Sequence, residues 1–335
     1  MRKYRITVGS GSSGFDVSNL RCTFKIEKQV DETPNYSEVA IYNLAYSTVA
    51  LIKPGATVTI EAGYENGNFG SIFTGQVVQP YSVREDGIET KLVLVCQDSG
   101  DYLNQTFTNK TLQKGSTHGD VIHVCTDTEK ITLGHVSKEV EASGDYIRGK
   151  VLFGNSAEYV SKVAVDAQAQ MYVDDGVLNI VTADDYSSNS VIELNPDTGL
   201  VGDPSQTDDG VSAQCLINPS IRLNTLIHID SSYITQKALT NAESEPVSFS
   251  ANGTYKVIKL TYEGDTHGDP WYCNIDAIAQ DSAQPAGAVA SGASGEKPTE
   301  SNTTGSTSGT VSTVTPTGED KSVLQQLFDK IISWR

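Results

Sequence analysis

The chain has 335 residues, of which 42 are acidic and 24 are basic, so its formal net charge is −18. This length is sufficient for two or three domains with cores of their own. A membrane-spanning helix needs about 18 or more consecutive apolar residues, and no such run is present. Clustered lysines and arginines are not visible along the sequence, so tight nucleic-acid binding is not expected. The acidity suits a soluble surface, or a channel along which DNA slides without sticking.

The cysteines and the N-terminus bear on the compartment in which the chain folds. The N-terminal segment 1–9 is basic but lacks the long apolar stretch of a signal peptide. The five cysteines are odd in number and widely spaced, at Cys22, Cys96, Cys125, Cys215 and Cys273. We therefore expect synthesis in a cytoplasm, buried reduced thiols and no disulfide framework.

The first hundred residues predict β-strands, because apolar or β-branched side chains alternate along them. The predicted strands are 3–8, 22–26, 37–44, 57–64, 71–83 and 88–97. Asn-Gly at 66–67 and Asp-Gly at 86–87 can adopt the positive φ angles of tight hairpin turns, which indicates a barrel or a curled sandwich. Residues 9–14 match GxGxxG, but no helical pattern follows. We interpret them as a flexible glycine loop, not as a dinucleotide site.

From about residue 101 the hydrophobic period changes. A helix is predicted at 116–125, where Thr117 and Asp120 have the spacing of a capping box. A second helix is predicted at 156–167 from an apolar stripe at helical spacing. A hairpin follows, with strands 170–173 and 177–181. Further strands are predicted at 191–194, 211–216, 226–230, 253–263 and 271–279.

The C-terminal part of the sequence has a different character. Residues 281–319 are rich in Ser, Thr, Gly and Pro and predict a flexible linker, because they cannot bury enough apolar surface to offset ordering entropy. Residues 320–335 predict an amphipathic helix. Its apolar, partner-binding face comprises Val323, Leu324, Leu327, Phe328, Ile331, Ile332 and Trp334. A lone helix of about 15 residues is marginal in water, so we expect it to dock on a partner or another copy. The alternative is that it folds back onto its own domain.

Candidate catalytic and metal-binding residues do not combine into a recognisable site. Potential metal ligands lie at His118, Asp120, His123, Cys125 and His135, without CxxC or HExxH spacing. The pairs Asp174–Asp175, Asp184–Asp185 and Asp208–Asp209 could suggest glycosidase chemistry. However, each pair lies in a turn-like context, and Asp is an ordinary turn residue. Neighbours on a strand point to opposite faces, so adjacency is poor evidence for a shared site. No GxSxG elbow is present. The sequence predicts no metal, no cofactor and no catalytic residue, and hence a protein that is not an enzyme.

Three stretches resemble a known family. Residues 198–211 (TGLVGDPSQTDDGV), followed by 215–224 (CLINPSIRLN), resemble the segment leading into the second barrel of phage baseplate hub proteins of the late control protein D type. Residues 255–272 are similar to the closing hairpin of that family, and 73–77 (FTGQV) to a strand of its first barrel. The resemblance rests on the order and spacing of these stretches, which together cover about residues 1–280.

The resemblance implies a mainly β fold with an α+β insert. The implied segments are a first tube-like β-barrel at 1–100, a mixed α/β region at 101–189 and a second tube-like β-barrel at 190–280. These precede the predicted linker at 281–319 and docking helix at 320–335.

The resemblance also implies a structural role at the tail tip of a phage or a contractile injection machine. Three copies would form a ring joining tail tube to spike, with the tape-measure protein inside and DNA passing without specific binding or membrane insertion. The virion tail would be assembled in the bacterial host cytoplasm. Some relatives carry a peptidoglycan-cleaving domain; here any such activity is expected from another subunit. The alternatives are a tail-associated cell-wall hydrolase, a carbohydrate-binding β-protein, or a generic β-rich scaffold.

Overall fold

Alternation of apolar and polar side chains gives the chain a mostly β architecture, as the sequence predicts. The computed structural model describes residues 1–9, 14–85, 88–127, 131–187, 190–207, 210–230 and 253–279. In the strand Cys22–Gln29, for example, every second side chain is buried. The predicted linker and C-terminal helix, with all seven residues of its apolar face, lie outside the described residues.

The strands and helices follow one another in a β-rich, mixed and again β-rich order. The strands are β1 Arg2–Val8, β2 Phe15–Asp16, β3 Cys22–Gln29, β4 Tyr36–Tyr42, β5 Thr57–Tyr64, β6 Phe69–Glu85, β7 Glu89–Gln97, β8 Phe107–Leu112, β9 Thr132–Val136, β10 Lys150–Asn155, β11 Ala169–Asp174, β12 Val177–Thr182, β13 Val191–Glu193, β14 Leu200–Gln206, β15 Gly210–Leu216, β16 Leu226–His228, β17 Thr254–Asp265 and β18 Trp271–Ala279. The helices are α1 Tyr46–Val49, α2 Gly100–Gln105, α3 His118–Thr126, α4 Lys138–Ala142 and α5 Ser156–Asp166.

The first and last parts of the chain share one sheet. Its strand order is β14-β15-β18-β17-β3-β4-β7-β6-β5-β1-β2, with β16 beside β17 and β13 beside β16. The antiparallel pairing of β17 with β3 joins the two parts, for instance through Tyr262 opposite Ile26. One hydrophobic core, which includes residues from both parts, lies against the inner face. The division into two barrels at 1–100 and 190–280 therefore remains a prediction within a continuous sheet.

Contacts between distant strands show that the sheet curls. The guanidinium group of Arg2, on β1, donates to the carbonyl oxygens of Gly268 at 2.6 Å and Asp269 at 2.8 Å. These residues belong to the turn between β17 and β18, although seven places in the strand order separate β1 from β18. The rings of Tyr4 and Trp271 are 5.9 Å apart in a tilted arrangement. The curl therefore encloses the shared core.

The insert between the two β-rich parts has a core of its own. Its α3 and α5 pack on a three-stranded sheet of order β11-β12-β9, and a separate two-stranded sheet is formed by β8 and β10. The predicted capping box of α3 is confirmed: the Thr117 hydroxyl accepts from the Asp120 amide, and the Asp120 carboxylate accepts from the Thr117 amide. None of the helices in the described ranges is long and apolar enough to cross a bilayer.

The hairpin β11–β12 belongs to both cores. Met171 and Leu178 face the insert core, whereas Tyr172 and Val181 face the core of the large sheet. Alternation along two strands thus lets one hairpin join the two hydrophobic layers. All five cysteines are free and buried, which confirms the prediction of reduced structural thiols.

Candidate assembly sites

A cluster of buried ions connects the turn of this hairpin to the large sheet. Lys28 lies at the end of β3 and points inward, with only 3% of its side chain exposed. Its Nζ is 2.5 Å from Oδ1 of Asp174 and 2.8 Å from Oδ1 of Asp175. Nη1 of Arg222, in the loop after β15, donates to Oδ2 of Asp175 at 2.9 Å. Four charged side chains from three parts of the chain therefore form one network.

The local conformation of the turn brings the two carboxylates together. Asp175 and Gly176 have φ angles of 52° and 80°, the positive values of a type I′ hairpin turn. Asp174 ends the strand and Asp175 begins the loop, so the strand rule of opposite faces does not apply to the pair. The prediction that this pair belongs to a hairpin turn is confirmed, and the turn brings both carboxylates into one cluster.

A third carboxylate adjoins the cluster. Asp98 accepts from the backbone amide of Asp175 at 3.1 Å and from the side-chain amide of Asn35 at 2.8 Å. Carboxylate oxygens of Asp98, Asp174 and Asp175 lie within 4.8 Å of one another. Such a group could hold a metal ion, but the Lys28 ammonium supplies a positive charge beside Asp174 and Asp175.

Burial and ion pairing act in opposite directions on the pKa values of these groups. Burial alone would lower the pKa of Lys28, but the two carboxylates outweigh it and raise the pKa. Burial opposes ionisation of Asp175. The charge of Lys28 and the hydrogen bonds that Asp175 accepts from Lys28, the Thr74 amide and Arg222 outweigh burial and lower the pKa of this carboxyl. Burial raises the pKa of Asp98 to about 6, against the hydrogen bonds from Asn35. At neutral pH, Lys28 and Asp175 are thus held as an ion pair.

A second buried lysine fixes the other end of the hairpin. Nζ of Lys256, on β17, donates to the carbonyl oxygens of Ala183 at 3.0 Å and Asp185 at 2.7 Å. Burial lowers the pKa of Lys256 to about 8, although Asp185 nearby opposes this shift. The insert is therefore attached to the sheet by a cation at each end of β12.

The outer face of the large sheet is a separate surface, which we call the polar face. One row across β4, β3, β17, β18 and β15 comprises Tyr36, Glu27, Thr261, Asn274 and Gln214. The next row comprises Glu38, Lys25, Glu263, Tyr272 and Leu216. All ten side chains are half-buried or exposed, while the alternate residues of these strands pack in the core. The polar face crosses from the first part of the chain to the last without a break.

A family model described as baseplate hub gp41 matches residues 5–277. The chain belongs to this baseplate hub family. This result confirms the resemblance drawn from the three sequence stretches. No curated protein matches the hub in sequence.

Solved structures with the same fold include two tail proteins and a type VI secretion component. The hub is similar to the 43 kDa tail protein of prophage MuSo2 from Shewanella oneidensis, with a TM-score of 0.54 and 11% identity over 83% of this chain and 99% of that chain. A tail protein from Neisseria meningitidis MC58 is similar with a TM-score of 0.51 and 8% identity, over 82% of this chain and 96% of that chain. A third similar structure is that of the E. coli c3393 protein, a type VI secretion component with structural similarity to T4 tail proteins gp27 and gp5. Its TM-score is 0.50 and its identity 10%, over 83% of this chain and 76% of that chain. At these identities the likeness is one of fold.

The histidine, aspartate and serine side chains that meet in the hub are not arranged as a catalytic triad. Nε2 of His135 lies 2.7 Å from Oδ2 of Asp185, and the Ser137 hydroxyl donates to the same oxygen. In a triad the histidine stands between serine and carboxylate, whereas here the carboxylate stands between the other two. Ser137 is fully buried and also accepts from the Thr182 amide. This network therefore holds the strand ends together.

The other residues considered as metal ligands are dispersed in the hub. Nδ1 of His118 lies 2.9 Å from the Ser143 hydroxyl, and Cys125 is buried in the insert core. His123 is exposed on α3. These side chains do not meet at a common point.

An open cleft of about 590 Å³ borders the ion cluster. Its lining is Ser71, Thr74, Tyr172, Asp174, Asp175, Val177, Asn179, Ser187, Ser190, Ile192, Ser220, Arg222, Leu223 and Thr225. Its two carboxylates are engaged by Lys28 and Arg222. Carboxylates paired in this way support a structural junction better than the acid and base of a glycosidase.

Proposed function

We propose that this baseplate hub forms a trimeric ring at the tail tip, joins the tail tube to the central spike, and lines the channel with its polar face. The continuous polar face carries the proposal, because a channel wall built from strands needs adjacent strands to present solvated side chains on one side. In this proposal residues 1–100 and 190–280 form two tube-like barrels in each copy. The role is structural and not catalytic.

The charges of the polar face suit the passage of DNA. With the adjoining row of Lys259 and Asp276, the face carries the carboxylates Glu27, Glu38, Glu263 and Asp276 and the ammonium groups Lys25 and Lys259. Lys25 is paired with Glu27 at 2.7 Å. Phosphates are held by clustered unpaired cations, so a face with this balance would let a duplex slide. DNA would therefore cross the ring without specific binding.

The buried junction supports a rigid ring subunit. Lys28, Arg222 and Lys256 attach the insert to the sheet at both ends of one hairpin. A subunit that carries load between a tube and a spike needs its parts fixed to one another. The tape-measure protein is a further proposed partner, inside the channel.

The C-terminal segment is proposed to bind another tail protein or a further copy. Its apolar positions are those listed from Val323 to Trp334, outside the described residues. In Leu327→Asp/Ile331→Asp particles, at least one tail protein should be missing or depleted on protein gels. A matched control is Gln325→Asp/Gln326→Asp, which adds the same two charges at polar positions. Particles with the normal complement of proteins would contradict the docking role.

The experiment that tests the ring is the mass of the full chain by light scattering, alone and with the neighbouring tail proteins. We expect a mass near three times 35.9 kDa, or an equimolar complex with the spike. A monomer that ignores its neighbours and binds or cleaves a cell-wall glycan would support the hydrolase or carbohydrate-binding alternative.

Charge reversal on the polar face tests the channel. Glu27→Lys/Glu263→Lys should leave assembly intact and slow DNA delivery, because phosphates would be retained at the wall. Glu139→Lys/Glu141→Lys makes the same charge change on the exposed side of α4 and should have no effect. Equal delivery by both variants would place this face outside the channel.

A further inference from the structure

The small sheet formed by β8 and β10 has two edges that differ. The hydroxyl group of Tyr159, on α5, covers the outer edge of β10 at Phe153. It accepts from the Phe153 amide at 3.0 Å and donates to the Phe153 carbonyl oxygen at 3.1 Å. Among the strands of the described residues, β8 pairs with β10 alone. One edge of this sheet is therefore satisfied within the chain, whereas the edge of β8 is open.

The register of the two strands fixes which backbone groups face the open edge. Phe153 lies opposite Asn109. Because the backbone groups of Phe153 point away from β8 to reach Tyr159, those of Asn109 point away from β10. The Ser156 amide donates to the Thr106 carbonyl oxygen at 3.3 Å, as expected for the alternate, hydrogen-bonded pairs of this ladder. The residues whose N–H and C=O groups face the open edge are Phe107, Asn109 and Thr111.

The two faces of the same sheet differ in charge. On one face Phe107, Val151 and Phe153 are 60%, 64% and 65% exposed, and the two phenyl rings meet edge to face at 5.1 Å. The other strand positions on this face are Asn109, Thr111 and Asn155. All six side chains are uncharged. Lys110 belongs to the opposite face, beside the buried Leu152, and is itself exposed.

We propose that the open edge of β8 binds an extended segment of another tail protein as an added strand, which is apolar on the side of Phe107 and acidic where it meets Lys110. The inference rests on the proposed hub role and names a surface of the insert through which the hub would hold a partner. Open ladder groups select an extended backbone, because a strand presents N–H and C=O groups at the same spacing. Side chains of the added strand alternate between the faces. Those beside the two phenyl rings would therefore be apolar, and those beside Lys110 acidic.

A strand of another protein fits this edge better than β8 of a second copy. Pairing of β8 with itself would be two-fold, whereas a ring of three closes through head-to-tail contacts. In an antiparallel pair of two β8 strands, both Lys110 side chains would also lie on one face of the joined sheet. Like charges on neighbouring strands are destabilising, so the second copy is the poorer occupant.

Hydrogen exchange of single amides tests the added strand in the full chain. In the hub alone, the Asn109 and Thr111 amides should exchange quickly, whereas the Thr108 and Lys110 amides, which face β10, should be protected. In a complex with the neighbouring tail proteins, exchange at Asn109 and Thr111 should slow by at least about tenfold. Protection of every second amide is specific to a strand, because a contact made by side chains alone does not alternate in this way.

Substitutions at the edge give a second readout. Thr111→Pro removes an outward N–H and keeps the bonds to β10, so the hub should fold but bind its neighbour about tenfold more weakly, as expected for one or two lost hydrogen bonds. Thr111→Ala keeps the N–H and should bind as the wild type does. Lys110→Glu should also weaken binding, because it repels acidic side chains. Lys53→Glu makes the same charge change at another exposed position and should have no effect.

The outcomes separate the added strand from the hub role. A hub that assembles with its neighbours while the Asn109 and Thr111 amides still exchange quickly would overturn the added strand and leave the hub role standing. Protection of these amides in a trimer of the hub alone would assign the edge to a second copy and overturn the proposal. A chain that stays monomeric and ignores the neighbouring tail proteins would overturn both.

Discussion

Removing the ammonium group of Lys28 should destabilise the hub strongly. In Lys28→Met the long apolar stem is kept, but Asp174 and Asp175, whose side chains are 10% and 12% exposed, lose their nearest cation. Arg222 remains, half exposed. Removing one partner of a buried ion pair costs about 3–5 kcal/mol, because the other charge stays buried. For a domain of this size that corresponds to a fall in Tm of roughly 6–10 °C.

The same substitution three residues earlier is a matched control. Lys25, also on β3, pairs with Glu27 at 2.7 Å, but both side chains are about half exposed, at 52% and 44%. An exposed pair contributes about 0–1 kcal/mol, so Lys25→Met should be nearly neutral. The free energy of unfolding can be measured by urea denaturation, followed by tryptophan fluorescence, to which the buried Trp271 contributes.

The contribution of Lys28 and Asp175 to the free energy of unfolding depends on pH. The lowered pKa of Asp175 means that its contribution is present above its unfolded pKa of about 4 and is lost as pH falls below that value. The raised pKa of Lys28 means that its contribution is present below about pH 10.4 and is lost above it. The gap between wild type and Lys28→Met should therefore be largest near neutral pH. Equal losses in Lys28→Met and Lys25→Met would refute the argument from burial.

Three further predictions follow from buried groups. Burial lowers the pKa of Lys256 to about 8, so between about pH 8 and 10.4 the unfolded chain binds one proton more than the folded chain. The stability of wild type relative to Lys256→Met, measured by urea titration, should therefore rise across this range by about 3 kcal/mol. Gly264→Ala should lower stability by about 1–3 kcal/mol in the same assay, because its Cβ would lie 2.2 Å from the Phe24 ring. Burial raises the pKa of Cys22 and Cys96 to about 12, so a thiol reagent at pH 8 should label the native hub far more slowly than the urea-unfolded chain; equal rates would contradict their burial.

Local signals in the sequence predicted much of the fold. Strands β5 and β18 begin and end where the alternation predicts them, and the capping box at Thr117 forms as expected. Helix α5 follows its apolar stripe. These features depend on neighbours within a few residues, so they can be read along the chain.

Other strands lack such local signals. Strands β8 and β10 were not predicted, because Phe107 and Phe153 are exposed while Thr108 is buried, the reverse of ordinary alternation. Strand β9 is short and pairs in parallel with β12 from a distant part of the chain. The reversed pattern is itself informative, since aromatic side chains turned outward are typical of a surface for another molecule.

Residue type and short-range order were sufficient to predict the mostly β architecture, the buried thiols and the family resemblance. The ion cluster could not be predicted in this way, because Lys28 and Asp174 are 146 residues apart in sequence, and Asp174 and Arg222 are 48 apart. The edge-to-face contact of Phe107 with Phe153 likewise forms only once β8 pairs with β10. Charges distant in sequence become partners only when the backbone folds them together, since electrostatic attraction depends on separation in space and on the exclusion of water.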